Sequence, residues 1–288
     1  MSIPGKPLRG VRVMGILNVT PDSFSDGGRF LEPSAAIEHG RALIAEGADI
    51  VDVGGESTRP GAQEVSGQEE LARVGPVVEG LARGLGDAVI SVDTSKASVA
   101  AVALQAGAGF VNDVTALRGD SEMAGVVAAG GAECCLMHML GDPRTMQRDP
   151  RYEDVVSEVK SFLEERLAFA VREGVREQQV LLDPGIGFGK TIAHNLELLA
   201  RLDELVSIGR PIVVGTSRKS FLAHLTTRPS APHERLAGTL ATSVLAFERG
   251  ASVVRVHDVA PTREALEVAA ATLGGRWTAS SPPRIPTS

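Results

Sequence analysis

Polar side chains stand directly after a series of short apolar runs along this chain of 288 residues. The first such place is Met14–Gly28, where an apolar run changes at Asn18 into a loop rich in hydroxyl and carboxylate groups. Pro21 ends any strand there, and the following glycine pair frees the backbone, so the pattern predicts a buried strand and a polar loop. The loop carries more hydrogen-bonding groups than a connection requires, which favours a binding role.

The change from apolar to polar recurs at seven further places. These places hold Glu56-Ser57-Thr58-Arg59, Asp93, Asn112-Asp113, His138, Asp183, Ser217-Arg218-Lys219 and Arg255-Val256-His257. A single carboxylate after a strand is often the cap of the next helix, and Asp113 is predicted to have such a local role. Polar residues at all eight ends exceed what capping needs, and they indicate a surface lined with hydrogen-bonding groups.

These polar residues divide into two sets with different chemistry. Side chains that can pair with the edge of a planar, nitrogen-rich ring are Asp93, Asn112 and Asp183. Side chains suited to a diphosphate are Lys219, Arg255 and His257. Asn18 offers a neutral oxygen to a cation such as Mg2+, which keeps several waters and bridges phosphate oxygens. The sequence therefore predicts a substrate in which such a ring is joined to a diphosphate.

The elements that must position these residues follow from hydrophobic periodicity. Strands are predicted at Val13–Leu17, Asp49–Gly55, Ala88–Asp93, Gly109–Asp113, Glu133–His138, Val180–Asp183, Pro211–Thr216 and Ser252–His257. Helices are predicted at Ser34–Gly47, Gln68–Gly84, Lys96–Gly107, Ser121–Gly130, Tyr152–Gly174, Ala193–Ile208, Leu236–Gly250 and Pro261–Leu273. A doubly wound open sheet also alternates, but its usual glycine fingerprint after the first strand is missing. Eight repeats in roughly 250 residues predict a single (β/α)8 barrel of the α/β class, with long active-site loops after strands 1 and 2.

Composition limits the class of protein. The chain carries 29 basic and 36 acidic residues, a net charge of −7, with no basic block, which argues against a nucleic-acid or membrane-surface partner. Cys134 and Cys135 are adjacent, so they are predicted to be reduced core thiols, and residues 1–10 have prolines where a signal peptide would be apolar. We expect a cytoplasmic protein with a barrel over residues 11–274. Residues 1–10 are expected to be an N-terminal extension and residues 275–288 a disordered tail.

Some motifs admit a plainer interpretation. Gly185–Thr191 resembles a phosphate-binding P-loop, but Pro184 stands where that motif requires glycine, so Lys190 is predicted to be solvated or at a helix start. For His138, a satisfied group near the core and a ligand contact both remain open. One of the two methionines beside His138 is predicted to form an apolar wall of the site, and Met137 is taken into the binding set.

Eight segments together resemble the bacterial dihydropteroate synthase family, a family of pterin-binding barrels. In order, they are MGILNVTPDSFSDGG, DVGGESTRPGA, ISVDTSK, VNDV, LMHM, LDPGIGFGK, GTSRKSFL and RVHDV, and they span about residues 12–273. The resemblance implies a transferase of folate biosynthesis that condenses 6-hydroxymethyl-7,8-dihydropterin diphosphate with p-aminobenzoate to give 7,8-dihydropteroate and diphosphate. It also implies Mg2+ as cofactor, a homodimer, and inhibition by sulfonamides.

The resemblance assigns roles by motif. The pterin is held by Asp93, Asn112, Asp183 and Lys219. Arg255 stacks on the pterin ring and, with His257 and Asn18, meets the diphosphate and Mg2+. The p-aminobenzoate and loop-closure region comprises Thr58, Arg59, Pro60 and Ser220. The predicted binding set further includes Met137, Phe188, Gly215 and Val256, and the predicted closing loop includes Thr20, Asp22 and Phe24. The residues expected to carry catalysis are Asp93, Asp183, Lys219, Arg255 and His257.

Two other interpretations remain open at the level of sequence. One is a related barrel that transfers a methyl group from a folate to a corrinoid partner, for which a diphosphate site at Arg255 and His257 has no use. The other is a non-catalytic pterin-binding paralogue, in which the loop residues would have decayed. For the synthase, no covalent nucleophile is required, because the pterin ring can delocalise positive charge as the diphosphate leaves.

Overall fold

Each of the eight apolar runs forms a strand in the computed structural model, which describes residues 11–20, 33–57, 65–84, 86–142, 145–227 and 230–274. The strands are β1 (Arg12–Asn18), β2 (Ile50–Gly54), β3 (Val89–Asp93), β4 (Phe110–Asp113), β5 (Glu133–Met137), β6 (Val180–Asp183), β7 (Val213–Val214) and β8 (Val253–Val256). Neighbouring strands pair in parallel, in the order β6-β5-β4-β3-β2-β1-β8-β7.

The sheet closes on itself between β6 and β7. Leu182 forms a parallel bridge with Ile212, and the Leu182 N–H donates to the carbonyl of Pro211 at 3.0 Å. On the other side, β8 pairs with both β7 and β1. The predicted (β/α)8 barrel is therefore confirmed, although the regular ladder of β7 is shorter than the predicted strand Pro211–Thr216.

Helices follow the strands on the outside of the barrel. They are α1 (Pro33–Ala45), α2 (Gly67–Ala82), α3 (Ala97–Gln105), α4 (Met123–Gly130), α5 (Val155–Arg172), α6 (Ile192–Ala200), α7 (Leu202–Val206), α8 (Leu236–Glu248) and α9 (Val259–Gly274). Short 3-10 turns lie at Glu177–Gln179, Ser220–His224 and Pro232–Glu234. No helix within the described ranges has the length and apolar character needed to cross a membrane.

Two predicted helices differ from the observed ones for identifiable reasons. The predicted helix Ala193–Ile208 is broken at Arg201, whose backbone leaves the helical region at φ −110° and ψ 29°. Helix α5 begins after Tyr152 because the Asp154 carboxylate accepts the Ser157 N–H at 2.8 Å and so caps the first turn.

Strand alternation divides the core into an outer and an inner part. Outward side chains such as Val51 and Val254 pack in the large cluster beneath the helices. The inward side chains of the barrel's lower end form a separate apolar cluster of Met14, Ile50, Phe110, Cys135, Leu181, Val213 and Val253. The two cysteines are free and buried as predicted, one in each cluster, and burial raises the pKa of Cys134 to about 12.

Two residues further along each strand, the inward positions become largely polar. These positions are Ile16, Asp52, Ser91, Asn112, Met137, Asp183, Gly215 and Arg255. We call this set the polar layer. The apolar cluster below it fills the barrel, so the polar layer forms the floor of whatever space opens at the carboxyl ends of the strands.

Candidate active site

A cleft of about 890 Å3 opens at the carboxyl ends of the strands. The predicted residues that line it are Asn18, Thr20, Asp93, Phe188, Gly215, Lys219, Ser220, Arg255 and His257. Three further predicted residues, Asn112, Met137 and Asp183, lie in the polar layer and are buried. The structure therefore brings the predicted ring-edge set and the predicted cationic set to one end of one barrel.

Some predicted site residues are placed elsewhere or are not tested. The Val256 side chain is buried in the outer cluster, on the face of β8 opposite Arg255, so this side chain does not face the cleft. Asp22, Phe24, Thr58, Arg59 and Pro60 lie outside the described residues.

Arg255 reaches across the barrel from β8. Its Nε donates to Asp52 Oδ2 at 2.6 Å, and its Nη2 donates to Asp93 Oδ2 at 2.8 Å. Burial disfavours the guanidinium charge, but Asp52 and Asp93 more than offset this, so the pKa of Arg255 lies above its ordinary value. The guanidinium is thus fixed by two carboxylates from two strands, while the side chain still lines the cleft.

Asp52 is a functional residue that sequence reasoning missed. It is fully buried in the middle of β2, and its carboxylate accepts from the hydroxyl of Ser91 at 2.6 Å, the amide of Asn112 at 3.0 Å and Arg255. The sequence did contain a sign of this role, because a carboxylate inside an otherwise apolar, buried strand must have a polar or charged partner. That partner could not be named from sequence, since Arg255 lies 203 residues away.

The carboxylates of the predicted ring-edge set are hard to ionise in this setting. Burial, with a further contribution from the charge of Asp52, raises the pKa of Asp93 to about 7, although Arg255 opposes the shift. Burial also raises the pKa of Asp183, against the opposing effects of Lys219 and of the Gly185 N–H, which donates to Asp183 Oδ1 at 2.7 Å. Perturbed carboxylates grouped in a cleft are typical of functional sites.

Lys219, a member of the cationic set, also contacts the aromatic ring of Phe188. Its Nζ donates to the carbonyl of Ile186 and lies 4.8 Å from the ring centroid of Phe188. Burial lowers the pKa of Lys219 to about 8, although Asp183 opposes this shift. The preceding residue, Arg218, has a positive φ of 59°, a conformation that costs energy for any residue with a side chain.

That conformation at Arg218 is held by specific contacts. Its guanidinium donates to both carboxylate oxygens of Asp258, at 3.1 and 2.6 Å, and its carbonyl accepts from Arg235 at 2.8 Å. The loop after β7 is therefore fixed on both sides of the strained residue, which fixes where the Lys219 side chain begins.

Ser217 contacts the imidazole of His257. The Ser217 hydroxyl oxygen accepts the backbone N–H of His257 at 3.2 Å and lies 3.0 Å from His257 Nδ1. We assign the hydroxyl proton to the bond with Nδ1, which makes Nδ1 an acceptor. In this arrangement Nε2 carries a proton that can be donated to a phosphate oxygen in the cleft.

Three polar residues near the site correct or settle expectations from the sequence. Lys190 is only 3% exposed, and its Nζ lies 2.9 Å from His138 Nδ1, so it is not solvated. The other predicted position, at a helix start, agrees with the structure, because Lys190 directly precedes Thr191, the N-cap of α6. Three glycines with positive φ, at 185, 187 and 189, turn the loop that carries Lys190 back over the strand ends.

His138 is buried, and its Nδ1 is within hydrogen-bond distance of Lys190. Asp113 has the predicted local role, because it accepts the N–H groups of Thr115 and Leu117, both at 2.8 Å.

Asn18 provides the donor chemistry for a hard cation at the cleft. Its amide lies at the end of β1 and lines the same cleft as Arg255 and His257. Within the described ranges, no group of three or more His, Cys, Asp or Glu side chains is arranged to hold a metal. The amide oxygen of Asn18 is the kind of ligand that a hard cation such as Mg2+ accepts when waters and phosphate oxygens supply the rest.

Buried carboxylates and cationic groups meet at one end of this parallel barrel, which suits a pterin ligand. The sequence matches the model of the pterin binding enzyme family over residues 14–257. The chain belongs to this family. It is 49% identical to the dihydropteroate synthase of Escherichia coli (strain K12), with 92% of each chain covered.

Solved structures of similar proteins agree. The Yersinia pestis dihydropteroate synthase in a sulfonamide complex superposes with a TM-score of 0.86 at 46% identity, covering 93% of this chain and 96% of that chain. The Xanthomonas albilineans dihydropteroate synthase with 4-aminobenzoic acid gives a TM-score of 0.85 at 48% identity, covering 91% of this chain and 93% of that chain.

Proposed function

We propose that the chain is a dihydropteroate synthase, a transferase that joins p-aminobenzoate to the methylene carbon of 6-hydroxymethyl-7,8-dihydropterin diphosphate and releases diphosphate. The observation that carries this proposal is the position of Arg255. It is hydrogen-bonded to Asp52 and Asp93, and it lines one cleft with Lys219 and His257. A substrate in which a ring with hydrogen-bond donors along its edge is joined to a diphosphate can bind the carboxylates with its ring and the cationic groups with its diphosphate.

The reaction requires a carbon–oxygen bond to break before a weak aromatic amine can attack. The bonding electrons leave with the diphosphate, the amine lone pair forms the new carbon–nitrogen bond, and the amine proton passes to solvent. Lys219, Arg255 and the Nε2–H of His257 stabilise charge on the departing diphosphate. The pterin is oriented by Asp93, Asn112 and Asp183, so the protein contributes position and electrostatics and no covalent nucleophile.

The amine is placed beside Phe188 and Ser220. Both residues line the cleft, and the ring of Phe188 lies under the ammonium of Lys219. The ring of Phe188 would contact the aromatic face of p-aminobenzoate. Thr58, Arg59, Pro60, Asp22 and Phe24 are proposed from the family resemblance alone to complete and close this subsite.

Mg2+ is the proposed cofactor, held through Asn18. When bound, the ion neutralises charge on the leaving diphosphate. The support is the donor chemistry of the cleft, which Asn18, with its neutral amide oxygen, lines together with Arg255 and His257. Calorimetric titration of Mg2+ with diphosphate present, compared between wild type and Asn18→Ala, tests this assignment. Equal Mg2+ affinity in the two proteins would contradict it.

A homodimer and a cytoplasmic location are further proposals. Exposed apolar side chains on α8 and α9, including Leu245 and Val268, support association through this face, and sedimentation velocity tests it. The free, buried cysteines are compatible with a reducing compartment. We also propose that sulfonamides, which resemble p-aminobenzoate, compete for the subsite at Phe188.

A coupled assay for diphosphate release tests the proposed reaction. Wild type is expected to release diphosphate from the pterin substrate only when p-aminobenzoate is present, and Asp183→Asn provides a control of nearly identical shape with a mismatched ring edge. A folate-to-corrinoid methyltransferase would release no diphosphate, and a non-catalytic paralogue would bind the pterin without turnover. Release that is independent of p-aminobenzoate would contradict the synthase assignment.

A further inference from the structure

Four successive carbonyls in the loop between β6 and α6 each accept a hydrogen bond from a side chain. The carbonyl oxygens of Ile186, Gly187, Phe188 and Gly189 accept from Lys219, Gln147, Lys190 and Tyr152 respectively. The donors come from different parts of the chain, so the loop is fixed from several directions. Such a loop is organised before any ligand arrives.

The glycines of this loop allow it to approach the end of β5 closely. A Cβ added at Gly185 would lie 1.9 Å from the carbonyl oxygen of His138, and one at Gly189 would lie 2.7 Å from Leu140 Cβ. Both glycines have positive φ, 66° and 64°. The backbone around Phe188 is therefore pressed against residues 138–140, and the side chain that bridges the two segments is Lys190.

Lys190 and His138 form a buried pair. The Lys190 Nζ donates to the carbonyl of Phe188 at 3.0 Å and lies 2.9 Å from His138 Nδ1. Burial, with the nearby charges of Lys190 and Arg118, lowers the pKa of His138 to about 3, so the imidazole is neutral at working pH. When Lys190 is protonated it can only donate, so Nδ1 then accepts. The imidazole is itself held edge-on against Phe162, with ring centroids 4.8 Å apart.

We propose that Lys190 is a positioning residue for the arylamine: anchored on His138, it fixes the backbone of Phe188 and so the ring that forms the wall of the amine subsite. This inference rests on the proposed synthase function. It accounts for a buried lysine that the ring-edge and diphosphate sets do not use. It also accounts for the position of the Phe188 ring, which lies between Lys219 and the cluster of Met137, Met139 and Met146.

Lys190→Met tests the proposal, because methionine has similar length and no donor. We expect the KM for p-aminobenzoate to rise by about tenfold to a hundredfold, since a misplacement of about 1 Å caused by a change away from the reacting atoms can cost about a hundredfold. The calorimetric affinity for a pterin that lacks phosphates should fall by a smaller factor than the KM rises, because Lys190 hydrogen-bonds to Phe188 and His138 and acts on Asp183 of the ring-edge set only through its charge.

Substitutions at the anchor separate positioning from general stability. His138→Asn keeps an acceptor near the place of Nδ1 and should restore a nearly normal KM for p-aminobenzoate, whereas His138→Leu should resemble Lys190→Met. Tyr152→Phe is the matched control, because it removes a bond to the neighbouring carbonyl of Gly189 and leaves the bond to Phe188 intact. Its KM for p-aminobenzoate should remain within about twofold of wild type.

The outcomes are distinct. An unchanged KM for p-aminobenzoate in Lys190→Met, or equal losses for both substrates, would overturn the positioning role. If Lys190→Met does not fold, as judged by its melting temperature and circular dichroism, the His138→Asn and His138→Leu pair decides by the same comparison. Lack of p-aminobenzoate-dependent turnover in wild type would instead reject the proposed function, a result that is separate from any effect of these variants.

Discussion

Replacing Asp52 by asparagine separates the charge of this buried residue from its hydrogen bonds. One carboxylate oxygen, Oδ1, accepts from the Ser91 hydroxyl, and the other, Oδ2, accepts from Asn112 and Arg255. An asparagine flipped so that its oxygen takes the place of Oδ2 could still accept from both of these groups. Its amide could donate to the Ser91 oxygen, because a hydroxyl can reverse its role. Only the charge would be lost.

The expected cost follows from that geometry. Exchanging a charged acceptor for a neutral one should lower the free energy of unfolding by about 1–2 kcal/mol. Asp52→Leu is the comparison, since it removes every acceptor and leaves the buried guanidinium of Arg255 with Asp93 alone. Breaking a buried ion pair in this way should cost about 3–5 kcal/mol. Urea unfolding measures both values, and equal losses in the two variants would refute the argument from the flipped amide.

The charge of Asp52 also affects the pH dependence of pterin binding. Its field helps to raise the pKa of Asp93 to about 7, and a donor edge binds the ionised form of Asp93. Affinity should therefore be lost as the pH falls through 7, and a pterin should bind about tenfold more weakly at pH 6 than at pH 8. In Asp52→Asn the pKa of Asp93 falls, so the difference should shrink to about threefold or less. Calorimetry at the two pH values checks this, and an unchanged tenfold difference in Asp52→Asn would rule out the coupling.

Three other variants test separate parts of the site. Arg255→Lys should lower kcat/KM by at least about thirtyfold, because a single ammonium cannot reach both carboxylates as the forked guanidinium does; turnover near wild type would contradict this. Ser217→Ala should weaken diphosphate binding by about three- to tenfold in calorimetry, because His257 loses its fixed tautomer, and affinity for a pterin without phosphates should not change. Arg166→Met should reduce the free energy of unfolding by about 1–3 kcal/mol in urea, because Arg166 donates to the Ala116 carbonyl in a turn of positive φ, with kcat unaffected.

The fold could be predicted because its signal repeats. Each strand is an apolar run, each run is followed by a helix, and the same rule locates the site at every strand end. A misjudged boundary at one element, such as the late start of α5 after the Asp154 cap, does not disturb this pattern. The residues at the strand ends were identified for the same reason, because all eight parallel strands of a barrel end on the same side.

Asp52 and Lys190 were missed for a different reason. Both are charged residues whose burial depends on distant partners: Asp52 on Arg255, and Lys190 on His138, which lies 52 residues away. Periodicity describes which face a side chain takes, but it contains no information on which opposite charge will cross the barrel to meet it. For Lys190 the loop glycines also matter, because their positive φ values reverse the chain and bury a residue that an extended loop would expose.

The buried charges of the site are incompletely compensated by one another. Burial raises the pKa of Asp93 and Asp183, and it lowers the pKa of Lys219, so for all three groups the loss of hydration outweighs the attraction of neighbouring charges and hydrogen-bond partners. A ligand that donates hydrogen bonds to the carboxylates and brings negative charge to Lys219 would relieve both penalties together. A pterin alone relieves only the first, and free diphosphate relieves only the second. The free energy stored in these three groups therefore favours a ligand that carries both parts on one molecule, which is the electrostatic basis for selecting the pterin diphosphate over either fragment.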